Sequence, residues 1–347
     1  MNRISKMCVL LAFLTGMLCA CGSGEEEEKP QEENKVAILL PSIFLIPRIS
    51  EDLRYLSEAL TVKNISHQSS VASGAEQQVE QLKKMLKEGC KYIIITAIDY
   101  RLINESHLLE QYPDVTVICH DRLILDNNNV DYYSSCDGEE VGEMQADYLL
   151  DYLPAYLLLY EQSPTIEMLA GPSSDDNSYR FYRGAYNKLK PYIDNGQLIV
   201  KSGLVNFEDV AISDWSIKAA TDNFRERLKK YYPDSQPDFI LSPNDESAIG
   251  VVDALEAHNP SIVDYPIITG QDNILQIRSY LQKGKVAMTI NKNLQNMAEN
   301  SVSIVDALIK GTKPSVTSTV NNGAIDVPFI KTSLQLVDRY SLPEDNQ

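Results

Sequence analysis

Two similar lobes, each an α/β unit with a doubly wound parallel sheet, form the fold class that this sequence predicts. Three observations lead there. Short β-branched runs alternate with longer amphipathic stretches, the pattern of βαβ units around a buried parallel sheet. The alternation restarts after Asp137 and runs through a second time, with no obvious internal sequence repeat. The 347 residues also exceed one usual core, since single cores stop growing near roughly 250–300 residues. One sheet of more than about ten strands would be the unusual alternative.

The first series opens with a strand at residues 36–40, a helix at 50–60 and a strand at 65–69. A helix at 74–88 follows, its apolar Val79, Leu82 and Leu86 on one face and Gly89 at its end. Next come a strand at 92–96, a helix at 102–109, a strand at 115–119 and a fifth strand ending at Cys136. The second series begins with a helix at 139–152. Its strands are expected at 165–169, 198–201, 239–242, 267–269 and 286–290. Helices at 179–189, 217–230, 246–257, 275–282 and 294–310 fill the gaps.

The amino terminus reads as an export signal. Arg3 and Lys6 precede an apolar stretch from Met7 to Leu18, and Ala20 stands before Cys21. That stretch is too short to span a bilayer, which takes roughly 20 residues. Behind Cys21 lie Gly22, Ser23, Gly24 and four glutamates, a solvated tether reaching to residue 34. Leu18-Cys19-Ala20-Cys21 resembles the lipobox of bacterial lipoproteins, in which the last cysteine carries the lipid. This resemblance implies a signal peptide at 1–20, lipid attachment at Cys21, and a protein held to a membrane outside the cytoplasm.

The chain carries 49 acidic against 31 basic residues, a formal charge of −18. Such a balance opposes nucleic acid and anionic membrane surfaces as partners by charge. Cys90, Cys119 and Cys136 are left beyond Cys21, with neither metal-cluster nor disulfide-scaffold spacing. Cys119 and Cys136 end neighbouring strands, so either a bridge between them or buried free thiols fits. The four histidines are scattered. No metal site, cofactor cradle or nucleophile–base series is evident.

Ligands of open α/β sheets bind beyond the carboxyl ends of the strands. Here those ends deliver Arg48, His120-Asp121-Arg122, Asp137, Ser173 through Ser178, Asp214-Trp215, Asn244-Asp245, Gln271-Asp272-Asn273 and Asn291-Lys292-Asn293. Carboxylates accept from sugar hydroxyls while guanidinium, ammonium and amide groups donate to them. The one tryptophan, Trp215, can lie on the apolar face of a pyranose. A well-made site of this kind reaches micromolar affinity, about −8 kcal/mol. Taken singly, Asp176 or Asp245 would as readily cap a helix and Lys292 be solvated. Their convergence on one edge argues for a cleft.

At these residues the chain resembles the periplasmic sugar-binding proteins of ABC importers, in the xylose-binding and multiple-sugar-binding branch. The likeness is carried by His120-Asp121-Arg122-Leu123-Ile124, Asp131-Tyr132-Tyr133, Val141 through Ala146, and Gly171 through Ser178. It continues through Lys190 to Gly196, Ser242-Pro243-Asn244-Asp245, Gly270-Gln271-Asp272, Asn321-Asn322-Gly323 and Val327-Pro328. The resemblance implies sugar contacts at Arg48, Asp121, Arg122, Trp215, Asn244, Asp272 and Lys292. Asp176 and Asn177 match the start of its Asp-Asn-Asn triplet. It further implies three chain crossings between lobes, near Cys136-Asp137, near Asn291 and around residues 318–325. The amino-terminal lobe would then hold 35–136 plus 292–318, and the carboxy-terminal lobe 137–291 plus 319–347.

This chain departs from the family in places. Ser178 stands where the triplet's second asparagine is expected, and His120 where tyrosine is common. An apolar stretch, Ile43 to Pro47, replaces a polar residue after the first strand, and residues 152–163 and the 208–211 loop look diverged. The family likeness implies a monomeric, non-enzymatic lipoprotein that closes on a monosaccharide and presents it to a permease or a sensor. A glycoside hydrolase using two facing carboxylates is the enzyme alternative.

Overall fold

The computed structural model describes residues 34–43, 49–160 and 162–342. The signal segment, Cys21, the tether as far as residue 33, and Arg48 lie outside the described residues. The first series contains β1 (Val36–Pro41), α1 (Ile49–Val62), β2 (His67–Ala72), α2 (Ala75–Lys87) and β3 (Tyr92–Ile95). It continues with α3 (Tyr100–Glu105), α4 (Leu108–Gln111), β4 (Thr116–His120) and β5 (Tyr132–Ser135). The second series contains α5 (Gly138–Leu159), β6 (Ile166–Met168), α6 (Asp176–Asp194), α7 (Phe207–Val210) and α8 (Ile217–Tyr231). After these come β7 (Phe239–Leu241), α9 (Asp245–His258), β8 (Ile267–Ile268), α10 (Ile277–Gln282) and β9 (Met288–Lys292). The chain ends with α11 (Leu294–Ile309), β10 (Ser318–Asn321), β11 (Asp326–Lys331) and β12 (Leu334–Asp338).

Alternation along the central strands builds the first lobe. Its sheet has the order β10-β11-β5-β4-β3-β1-β2, parallel throughout except for β10 at the edge. Ala37, Leu39, Ile93, Ile95 and Val117 face one side, under Leu82 and Met85 of α2 and Ile103 of α3. Val36, Ile38, Leu40, Ile94 and Ile118 face the other, against Leu56 and Leu60 of α1 and Val302 and Val305 of α11. Each such side chain contributes about 1.5–3 kcal/mol on full burial. A sheet buried on both faces needs continuous apolar runs, and β1 and β3 are those runs.

The second lobe repeats the plan on shorter strands. β6, β7 and β8 are parallel, and a parallel bridge between Thr165 and Ile199 extends one edge. Hydrogen bonds from Ala287 N to Ile268 O and from Asp272 N to Ile290 O set β9 beside β8; antiparallel β12 then pairs with β9. Met168, Phe239 and Leu241 pack with α5 and α6 residues on one face. Leu169, Ile240 and Ile268 pack with α8 and α9 residues on the other.

The chain passes between lobes between β5 and α5, between β9 and α11, and between β11 and β12. The last passage differs from the sequence expectation. Residues 319–331 belong to the seven-stranded sheet, with β11 paired to β5, so the third crossing falls at Thr332 and Ser333 and not at 318–325. The short, partly exposed strands there carry too little alternation to stand out. Elsewhere, the strand expected at 198–201 is reduced to the single bridge at Ile199. The helix expected at 102–109 is two helices, because His107 takes a left-handed φ of 51°. The helix expected to end at Tyr152 runs on to Leu159 through an exposed Pro154. The strand expected at 65–69 sits later, at His67–Ala72.

Helices α5 and α6 touch at two glycines. A Cβ on Gly184 would overlap the Glu139 carbonyl, and one on Gly142 the Phe181 carbonyl. Gly184→Ala therefore forces the helices apart and lowers stability by about 1–3 kcal/mol, as other overpacked cores do. Thermal unfolding checks it, with Gly74→Ala as the control whose added methyl meets nothing closer than 3.8 Å and leaves the melting temperature near wild type.

Candidate functional site

The loops at the carboxyl ends of β4, β6, β7, β8 and β9 meet in one pocket between the lobes. It is lined by Asp121 and Arg122 from the amino-terminal lobe, and by Asp175, Asn177, Phe181 and Trp215 from the other. Asn244, Glu246, Gln271, Asp272 and Lys292 complete the wall. Two of the carboxylates stand on strained backbone: Asp121 has φ 64° and Asp272 φ 95°. Non-glycine residues adopt that region at a cost of order 1–3 kcal/mol, and such positions cluster at ligand clamps. Backbone bonds hold both in place, Asp121 N donating to Ser134 O and Asp272 N to Ile290 O.

Asp175 is the hub. It caps α6, its Oδ1 accepting from Asn177 N at 3.0 Å. Its Oδ2 accepts the indole Nε1–H of Trp215 at 3.1 Å and lies 2.8 Å from Nε of Arg122. The last contact joins the two lobes. Burial pushes the Asp175 carboxyl above its ordinary range, and the Arg122 guanidinium pulls it back. A second cross-lobe bond runs from Asn177 Nδ2 to the carbonyl of Asp121 at 3.0 Å. Two amino-terminal hydroxyls, of Tyr133 and Ser135, donate to that same carbonyl at 3.0 and 2.9 Å.

On the far wall, Lys292 Nζ lies 3.2 Å from Asp272 Oδ1 and 4.9 Å from the centre of the Phe181 ring. Asn244 caps α9 through its Oδ1 on Ser247 N, and its Nδ2 donates to Glu246. Gln271 Oε1 is buried with no hydrogen-bond partner among the described residues, an acceptor directed at the pocket wall. The enclosed space is about 30 Å³, the share of a single water. A sugar ring is several times larger than this space.

The structure brings Asp121, Arg122, Asn177, Trp215, Asn244, Asp272 and Lys292 together. Arg48 lies outside the described residues. Asp176 is absent from the pocket wall and pairs with Arg180 one helical turn on. Its neighbour Asp175 takes the pocket position, because the N-cap side chain turns back over the helix end while the first helical residue points about 100° away. The same one-residue shift bears on Ser178, whose side chain packs under Gly171 instead of reaching the ligand space. Sequence reasoning places Asp175 and Gln271 among the strand-end residues without choosing them for the site, and it does not single out Phe181 or Glu246. Cys90, Cys119 and Cys136 are buried free thiols, and burial pushes the Cys119 thiol up to about 12.

Comparison with known proteins agrees with this architecture. A family model described as a periplasmic binding protein domain matches residues 49–313. This chain belongs to the periplasmic binding protein family. It is 34% identical over 267 residues to the multiple sugar-binding periplasmic receptor ChvE of Rhizobium radiobacter, covering 76% of this chain and 75% of that one. To the D-xylose-binding periplasmic protein of Escherichia coli it is 27% identical over 259 residues, covering 75% and 73%. A crystal structure of an ABC transporter solute-binding protein from Clostridium phytofermentans, with bound β-D-glucose, superposes with a TM-score of 0.83. That match is 31% identical and covers 90% of this chain and 99% of the other. The family's type I fold is thus present here, two α/β lobes with the pocket between them.

Two positions behind the pocket wall of this binding protein can be probed. A Cβ on Gly171 would overlap the Trp215 benzo ring, so Gly171→Ala displaces the indole and weakens ligand affinity at least tenfold. Since Trp215 is the only tryptophan, its emission reports the shift directly. Asp245, wholly buried, is held well above the ordinary carboxylate range by burial and by nearby Asp272. A raised carboxyl favours folding below its ordinary pKa, and that contribution is lost as pH rises through the raised value. Asp245→Asn therefore melts higher than wild type at pH 7, and the gap closes as pH falls toward the ordinary carboxylate range.

Proposed function

We propose that this chain captures a monosaccharide of the aldose class, such as xylose, glucose, galactose or arabinose, between its lobes and delivers it to the permease of an ABC importer. The observation that carries the reading is the composition of one pocket: four carboxylates, a guanidinium, an ammonium, three amides and an indole, drawn from both lobes. Vicinal hydroxyls need donors and acceptors side by side, and carboxylates paired with cations supply both. A wrong epimer leaves one of these buried groups unpaired, which is where selectivity arises. An excess of carboxylates over cations among the described residues disfavours sugar phosphates and sugar acids.

Lobe closure around the ring creates the surface that a membrane partner reads. The work asked of the pocket is binding alone. The Asp175 carboxylate accepts from the Trp215 indole and pairs with Arg122, and the backbone carbonyl of Asp121 accepts from Ser135 and Asn177, contacts that serve grip and closure. Cys21 carries a lipid in this reading, and the acidic tether holds a monomeric receptor near its permease at raised effective concentration.

Calorimetry across a panel of pentoses and hexoses tests the proposal. One or more bind at micromolar Kd or tighter, and Asp121→Ala and Trp215→Ala each weaken them by at least about tenfold, the loss of one charge-assisted bond or one stacking face. Wild-type affinity in both variants places the ligand elsewhere, and hydrolysis of aryl glycosides at a useful turnover replaces the receptor reading with an enzyme. For the anchor, Cys21→Ser shifts the protein from the membrane to the soluble fraction of its host; unchanged membrane retention contradicts lipid attachment there.

A further inference from the structure

The far wall of the pocket stands on a turn made of two consecutive left-handed residues. Asp272 has φ 95° and Asn273 φ 52°, conformations that residues other than glycine keep only where their surroundings impose them. Four bonds do so. Asp272 N donates to Ile290 O at 2.8 Å, and Asn273 N to Thr289 Oγ1 at 3.2 Å. The other two come from one residue. Asp245 N donates to Gln271 O at 3.0 Å, and Asp245 Oδ2 accepts from Ile274 N at 3.0 Å. Asp245 thus grips the turn at its entry with its main chain and at its exit with its side chain. Between the two grips lie Gln271 and Asp272, both on the pocket wall.

Asp245 itself is the first residue of α9, wholly buried and absent from that wall. Its place is made by Gly270, where a Cβ would overlap Asp245 Oδ1. We propose that Asp245 is a positioning residue of the sugar site: its side chain holds the strained turn that presents the Asp272 carboxylate to the ligand, and it does not touch the ligand. The inference rests on the proposed sugar-binding function and adds to it a residue that sets affinity from behind the wall. The bond to Ile274 N needs one acceptor oxygen and no charge, and burial beside Asp272 favours the neutral carboxyl here. An asparagine amide oxygen fills the same place. Trp215 is held from elsewhere, by Asp175 at the start of α6, and does not depend on this turn.

Calorimetry with D-glucose and D-xylose decides it. Asp245→Ala removes the acceptor and weakens the better ligand at least tenfold, whereas Asp245→Asn stays within threefold of wild type. Because the side chain acts through Asp272, Asp245→Ala costs less than a further threefold in an Asp272→Ala background and its full tenfold in a Trp215→Ala background. If the alanine variant shows no cooperative melt, Asp245→Ser makes the same comparisons, its hydroxyl falling short of Ile274 N and its void being smaller. Three results overturn the inference while the receptor reading stands: wild-type affinity in the folded alanine or serine variant, an asparagine variant as weak as they are, or a loss that multiplies in full with Asp272→Ala. A wild-type protein that binds no sugar of the pentose and hexose panel removes the receptor reading and this inference together.

Discussion

Everything in the cleft depends on one buried carboxylate. Asp175 accepts from the backbone of α6 and from the Trp215 indole, and forms an ion pair with Arg122 across the interlobe gap. Burial pushes its carboxyl above the ordinary range, while the Arg122 guanidinium, the Asn177 backbone N–H and the Trp215 indole pull it back. Removing one member of such a buried pair costs about 3–5 kcal/mol, because the other charge is left without compensation. The hub therefore fixes the start of α6, the plane of the tryptophan and the approach of the lobes together.

That coupling explains how capture and closure become one event. Arg122 belongs to the loop after β4 and Asn177 to the first turn of α6, so these two cross-lobe contacts join loops that are rooted in separate cores. The cores themselves are independent, with the sheet of each lobe buried by its own helices. A smaller apolar cluster, Cys136, Val141, Phe181, Trp215, Met288 and Ile290, sits between a crossing and the pocket. The ring that Lys292 overlies and the indole that Asp175 holds are members of it. Ligand geometry and the crossings thus share side chains.

The fold is legible in the sequence because its driving force is periodic. Continuous apolar runs at β1 and β3 read as doubly buried strands, and apolar spacing on α2 announces a helix. The features that escape such reading are set by tertiary context: β10 through β12 are short and half exposed, α5 continues through a proline, and His107 breaks a helix with a backbone angle that no residue type announces. At the site, residue types and strand ends place seven positions in one pocket. The exchange of Asp175 for Asp176 arises from two adjacent aspartates, either able to cap. Only the helix start decides which one looks inward. Gln271 stands in view at the end of β8 but is passed over for its neighbour Asp272, and Glu246 reads only as the start of a helix.

A crystal structure with bound D-glucose or D-xylose is the most direct test of the central claim that the ligand takes over the cross-lobe bonds of Asp175 and Arg122. It should show the carboxylate and the guanidinium both within hydrogen-bond distance of the same ring, with Trp215 against its face and Asp272 on its far side. A sugar held by one lobe alone, with the Arg122–Asp175 pair intact and the ring outside the pocket, would contradict it.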